Sequence, residues 1–242
     1  MLPAKAHIIA QLQKDLLKLS GMKPAEHASG LPKGLGFLKD HLPQANFPMA
    51  AVHEFVCTNK EGVAATEGFV SALVSTITHP DAITVWLSPG KTLFPPAIKL
   101  FGLDPDRIIF IQLHQEKELL WATEEALKCK GLAAVVCELQ ELSFTSSRRL
   151  QLAVEQSAVT GFILRVNPRK LTATTCVSRW RISSIATETN GMPGVGFPKW
   201  NVELLKMRNG KPGSWEVEWN INGFHLHEHI AAVEPQLHRK TG

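Results

Sequence analysis

The sequence predicts an α/β domain with a mostly parallel central sheet, flanking helices and an antiparallel C-terminal extension. Three observations predict it. From Phe47 onward, short apolar runs alternate with segments of helical apolar spacing, the pattern of a parallel sheet covered on both faces. Beyond Val166, strand-like runs follow one another with no helix between them. A length of 242 residues, 44% hydrophobic and 20% charged, suits one large domain with a true core and scarcely two.

Taken in order, Lys5 to Leu19 places Ile8, Ile9, Leu12, Leu16 and Leu19 on one stripe and Lys14, Asp15 and Lys18 elsewhere. This is an amphipathic helix whose apolar side is to be covered by its own domain or by a partner. Ser20 to Asn46, punctuated by glycine and proline, is expected to wrap the domain without forming a core. The organisation drawn from this is an N-terminal helix and connecting segment over 1–46, a core domain over 47–222 and a tail over 223–242.

Within the core domain, Ala50 to Cys57 reads as a buried strand, Thr58 to Gly62 as a polar loop and Val63 to Ile77 as a helix. Strands are expected at Ala82–Leu87, Arg107–Leu113, Leu132–Cys137 and Gly161–Val166, and helices at Thr92–Phe101, Glu116–Lys130 and Ser146–Val159. Pro95 and Pro96 suit a first helical turn, where a missing N–H costs little. Ser146 and Ser147 are read as the cap of the last helix, with Arg148 and Arg149 on its surface. The C-terminal strands are Thr175–Ile185, Trp200–Met207 and Gly213–Ile221. In the last of them Trp215, Val217 and Trp219 alternate with Glu216 and Glu218, as at a half-exposed antiparallel edge.

The strand, loop and helix at 47–78 stand where a phosphate-binding loop would sit. Such a loop needs glycines that let backbone N–H groups curl around phosphate, a lysine for the β and γ oxygens, and a Ser or Thr for magnesium. Laid against GxxxxGK[ST], Cys57 takes the first glycine position, Gly62 the second, Val63 the lysine and Ala64 the hydroxyl. Three of the four positions fail.

The stretch FPMAAVHEF followed by this loop is similar to the entry to the nucleotide site of RecA-like recombinases. The whole chain resembles the ImuA family of RecA-like, error-prone repair proteins. The match is carried by FPMAAVHEF and by KTLFPPAIKLFGLDPDRIIFI (Lys91 to Ile111), EEALKCKGLAAVV (Glu124 to Val136), SFTSSRRLQLAVEQSAVTGFILR (Ser143 to Arg165) and GMPGVGFPKWNVELLKMRNGKPGSWEVEW (Gly191 to Trp219). The resemblance implies a RecA-like fold and a task in damage-induced translesion DNA synthesis. It also implies work beside an ImuB-like Y-family polymerase homologue and an error-prone polymerase, with RecA, DNA and further copies of the chain as additional candidate partners.

Two more positions bear on ATP hydrolysis. The acidic residue that ends an apolar strand and helps hold magnesium falls at Cys137, with Glu138 expected on the other face. The catalytic glutamate of RecA-like ATPases falls at Gly90. With lysine, hydroxyl, carboxylate and general base all missing, the chain is expected to hydrolyse no ATP and to use no cofactor. Lys60 and Lys91 are read as exposed lysines, with an anion near a helix N-terminus as the alternative.

Arg165, Arg169, Lys170, Arg179, Arg181, Lys199, Lys206, Arg208 and Lys211 make the segment after the parallel strands basic. In the resembling fold this region lines DNA, so Arg165, Arg169, Lys170, Arg179 and Arg181 become candidate phosphate contacts, against the plainer reading of a solvated basic surface. The run Lys206-Met-Arg208 resembles the KxR turn through which RecA-like ATPases reach a neighbour's nucleotide site. Lys206 and Arg208 are therefore candidate partner contacts, with a charged hairpin flank as the equal alternative.

A net charge of +4 permits nucleic-acid contact without requiring it. Cys57, Cys129, Cys137 and Cys176 form no CxxC and are expected to be reduced structural thiols. His225, His227 and His229 alternate but suit a polar tail better than a zinc site. No run of eighteen apolar residues and no secretory signal pattern occurs, so a cytoplasmic protein without a membrane span is expected. Two other readings remain beside the non-catalytic accessory: a divergent repair ATPase and a SulA-like cell-division inhibitor.

Overall fold

The computed structural model describes residues 31–32, 34–90, 93–187 and 196–227. The expected helix at Lys5–Leu19, along with Lys91, His229 and the end of the chain, lies outside these residues. The described strands form one nine-stranded sheet: β1 (Val52–Cys57), β2 (Ile83–Ser88), β3 (Ile108–Gln112), β4 (Leu132–Leu139), β5 (Thr160–Val166), β6 (Ser178–Ile185), β7 (Lys199–Met207), β8 (Gly213–Asn220) and β9 (Gly223–His227). Their order is β3-β2-β4-β5-β1-β6-β7-β8-β9. Pairing is parallel from β3 through β6 and antiparallel from there to β9.

Helix α1 (Lys60–Ile77) covers one face of the parallel part, while α3 (Glu116–Lys128) and α4 (Phe144–Ser157) cover the other. A single turn, α2 (Pro95–Ile98), begins on the two prolines as expected and runs on into a tighter turn ending at Gly102. Strand alternation sorts side chains between the layers. On β1, Phe55 packs towards Phe69 of α1, whereas Val52 joins Leu150 of α4. Every residue of β1 is buried, as a central strand of a covered sheet requires.

Three expectations are corrected. The segment before the sheet does more than wrap: Leu35, Leu38, Leu42 and Phe47 are buried in the core on the α1 side, and Phe37 and His41 set their rings edge-on to Trp215 of β8, so the segment covers antiparallel strands beside α1. The core does not end at 222, since β9 pairs with β8 and buries Phe224 against Trp219, with ring centroids 4.9 Å apart. β8 is thus an inner strand. At the last helix, the cap is Ser143, whose Oγ accepts from Ser146 N–H, so the helix opens earlier than Ser146 and Ser147 suggested.

Candidate functional site

The crevice at the carboxyl ends of parallel strands is where open α/β sheets take ligands. Here it is a cleft of about 570 Å³ lined by Lys60, Val63, Ala64 and Glu67 of α1, Pro89 after β2, Glu138, Leu139 and Gln140 at the end of β4, and Val166 and Asn167 at the end of β5. Val63 and Ala64, two of the failed signature positions, therefore face the place where a bound phosphate would need a lysine and a hydroxyl.

The loop is missing as well as its side chains. The helix begins at Lys60, so only Thr58 and Asn59 separate it from β1. Asn59 caps it: its Oδ1 accepts from Gly62 N–H at 2.7 Å, and Val63 N–H donates to the Asn59 carbonyl at 3.0 Å. The Gly62 and Val63 N–H groups are thereby used within the first turn and are not turned to an anion. Gly62 serves this cap, since a Cβ there would stand 2.9 Å from Asn59 Oδ1.

The acidic position is corrected from Cys137 to Glu138. Ala134 and Val136 lie in the core beneath α1, whereas Val135 and Cys137 lie in the one beneath α3 and α4. Because β4 continues to Leu139, alternation carries Glu138 to the α1 side, where it lines the cleft and accepts from Trp86 Nε1 at 3.0 Å. Glu67, two turns into α1, is a second buried carboxyl group there. Gly90 lies on a neighbouring cleft of about 530 Å³ with Trp86, Leu93, Phe94 and Phe110, and its carbonyl accepts from Ser88 Oγ.

Cys57, at the first signature position, donates to Thr66 Oγ1 at 3.4 Å. Burial pushes its thiol up to about 11, and Glu67 and Glu138 push the same way, so it is no nucleophile at neutral pH. Burial also raises Cys137 and Cys176 to about 12. Of the four thiols only Cys129 is exposed, and none is paired.

The candidate DNA contacts divide. Arg165 is wholly buried: its Nη1 donates to Glu54 Oε1 at 2.9 Å and its Nη2 donates to Glu141 Oε2 at 3.1 Å and to the Lys170 carbonyl at 3.0 Å. Arg179 Nε donates to Glu54 Oε2 at 2.9 Å, and Nη2 donates to the Thr172 carbonyl. Both are corrected to structural roles, because buried Glu54 needs two cations and they need it. Arg181 pairs half-exposed with Glu203 at 3.5 Å. Arg169 and Lys170 keep exposed side chains, although Arg169 N–H donates to Glu141.

Lys206, which stays exposed, and half-buried Arg208 both bond to the backbone of the β5–β6 connection. Lys206 Nζ donates to the Thr174 carbonyl at 3.3 Å and Arg208 Nη2 to the Thr175 carbonyl at 2.6 Å. With Thr172 Oγ1 on the Leu142 carbonyl and Thr175 N–H on Ser147 Oγ, they fasten the β5–β6 connection to the domain. His225 and His227 stand exposed on β9, with His227 Nε2 3.3 Å from Glu218. Among the described residues, no helix is long and apolar enough to cross a membrane.

Reasoning from the sequence missed Glu54, Glu67, Glu138 and Glu141 as a set. Glu54 carried a legible signal, a carboxylate inside the apolar run Ala50 to Cys57, where an ionised group demands partners.

A parallel sheet of order 3-2-4-5-1, extended by antiparallel strands and carrying a helix-capped remnant of a phosphate loop, defines a RecA-like domain with an altered nucleotide cleft. Among solved structures the chain is similar to the RadB recombinase, with a TM-score of 0.54, 13% identity, and coverage of 83% of this chain and 99% of that one. SulA from Pseudomonas aeruginosa aligns at a TM-score of 0.42 over 49% of this chain and 99% of that one, at 21% identity, too low to bear on the fold. The protein ImuA from two strains of Caulobacter vibrioides is 33% identical over 192 residues, 73% of this chain and 78% of that protein. The chain belongs to the ImuA family. No protein-family model matches it.

Proposed function

We propose that the chain is a non-catalytic RecA-like accessory protein of SOS-induced, error-prone translesion DNA synthesis. It works through contacts with an ImuB-like Y-family polymerase homologue, an error-prone polymerase and RecA, and performs no bond chemistry. The observation that carries the non-catalytic part is the start of α1 at Lys60, two residues after β1, with Asn59 Oδ1 taking the Gly62 N–H. Val63 and Ala64 supply neither charge nor hydroxyl, and Glu67 and Glu138 put carboxyl groups into the cleft. Family membership supports the DNA-repair setting.

A second reading, a divergent repair ATPase, is favoured by one observation: Glu138 faces the cleft at the end of β4, and Lys60 lines the same cleft. Calorimetry with ATP and with ADP, each with magnesium, separates the two. It is run on the protein alone and with single-stranded DNA and RecA. Absence of binding heat in every mixture is the expected result. Magnesium-dependent binding overturns the proposal and puts the ATPase reading first.

A further inference from the structure

The sheet ends on β3, and this edge differs from the other. β3 pairs with β2 alone, and among the described residues no strand lies beyond it. Sheet edges are normally guarded against further pairing by charged side chains, proline or a bulge. Ile108-Ile-Phe-Ile-Gln112 has none of these and keeps an unbroken register with β2. At the opposite edge, β9 presents exposed His225 and His227.

Register decides which backbone groups face outward. Leu113 N–H donates to the Ser88 carbonyl at 3.1 Å, so by alternation Ile109 and Ile111 also bond to β2. Ile108, Phe110 and Gln112 turn their backbone groups to the open side, although Ile108 N–H is taken by the Pro105 carbonyl of the preceding turn. The side chains are apolar on both faces. Phe110 stands next to Trp86 on the α1 side, is 42% exposed and borders the cleft that holds Leu93 and Phe94. Ile109, 50% exposed, and Ile111 lie on the α3 side next to Val85 and Leu87.

We propose that β3 pairs antiparallel with β3 of a second copy of this chain about a two-fold axis at Phe110, joining the two sheets into one. Phe110 then exchanges both backbone bonds with the second copy's Phe110, and the Ile108 carbonyl accepts from Gln112 N–H in each direction. The same register sets the two Phe110 rings side by side on one face and Ile109 opposite Ile111 on the other. Aromatic and β-branched cross-strand pairs of this kind stabilise antiparallel sheets. A two-fold contact needs a surface that complements itself, and an uncharged apolar strand with an outward-bonding residue at its centre does so. Pairing of β3 with β9 would instead be head-to-tail and leave an open edge at each end. Two five-residue strands make a small interface, so association at micromolar concentrations is expected. The proposal concerns assembly and goes beyond the accessory reading, which stands whichever way the test falls.

Sedimentation equilibrium of the full chain at micromolar concentrations is the test. Wild type should show a monomer–dimer equilibrium, and Phe110→Lys should weaken dimerisation at least tenfold. Phe110→Pro should do the same, since it removes an N–H that β2 does not use. Urea midpoints close to wild type confirm that the variants are folded. A third variant reports the register without relying on a loss. In a Cys129→Ser background, which removes the one exposed thiol, Phe110→Cys should oxidise to a covalent dimer. The Cα atoms of such a pair lie about 5.5 Å apart, within reach of a disulfide. His225→Cys in the same background should stay monomeric under the same oxidation. A wild-type chain that remains monomeric, or a dimer that Phe110→Lys and Phe110→Pro leave intact, overturns the proposal. Polymers larger than a dimer overturn it in favour of head-to-tail pairing.

Discussion

Glu54 on β1 and Arg165 on β5 form an ion pair of 2.9 Å in which both side chains are fully excluded from solvent. Arg179 adds a second cation to the same carboxylate at 2.9 Å, and Thr174 Oγ1 donates to it at 2.8 Å. One carboxylate thus joins three neighbouring strands, β5, β1 and β6, to the connection between β5 and β6.

Removing Glu54 is expected to be far worse than removing a surface charge, because it strands two buried or half-buried guanidinium groups. Glu54→Ala should destabilise by about 3–5 kcal/mol, as breaking one partner of a buried pair does. Arg181→Ala, which breaks only the half-exposed pair with Glu203, should stay within about 1 kcal/mol. Urea unfolding of both variants checks the contrast. Equal midpoints would show that the Glu54 cage contributes little.

His53 sets an acid limit on stability. Its ring lies between Phe47 and Phe162, at centroid distances of 4.6 and 5.6 Å, and is completely buried. Nε2–H donates to the Pro48 carbonyl at 2.8 Å. Trp180 Nε1–H donates to Ser178 Oγ, which leaves the Ser178 hydroxyl to donate to His53 Nδ1 at 2.7 Å. This chain of bonds needs a neutral ring, and burial lowers its pKa from 6.5 to about 4. Below pH 6.5 the unfolded chain binds a proton that the folded one refuses. Stability should therefore be full above pH 6.5 and fall by about 3 kcal/mol as the pH drops towards 4. Urea midpoints across that range, flatter in His53→Gln than in wild type, are the check.

The parallel sheet and its helices were legible because each buried strand is a short apolar run and each helix repeats its apolar residues at helical spacing. What escaped depended on a single position or on a distant partner. Cys137 and Glu138 differ by one residue, and only the extension of β4 to Leu139 decides which faces the cleft. Arg165 and Arg179 look like any basic residues until Glu54, more than a hundred positions away, is set beside them. β9 was missed because Phe224 supplies its only buried side chain, and two histidines and an exposed leucine make the strand read as a tail.

Asn59 holds the start of α1, and its loss should be felt as helix fraying. Asn59→Ala should cost about 1 kcal/mol, whereas Asn59→Ser, which keeps an acceptor, should cost much less. Gly62→Ala should resemble the loss of the cap, since the added methyl group meets Asn59 Oδ1. Amide hydrogen exchange at 60–64 is the sensitive measurement, with faster exchange expected for the alanine variants alone.

Restoring the signature side chains should not restore a nucleotide site. Val63→Lys with Ala64→Thr places a lysine and a hydroxyl on α1, yet the helix still starts at Lys60 and Asn59 still holds Gly62 N–H, so no loop of free donors is formed. The new lysine would also share the cleft with Glu67 and Glu138, whose carboxyl groups are nearer partners for it than a phosphate arriving from water. The double variant is expected to bind ATP no better than wild type in the presence of magnesium. Adding Glu67→Gln should weaken the competition without rebuilding the loop, leaving hydrolysis at background. Magnesium-dependent ATP binding by the double variant would instead mean that side chains alone separate this cleft from a working one, and that the short β1–α1 connection opens to admit phosphate.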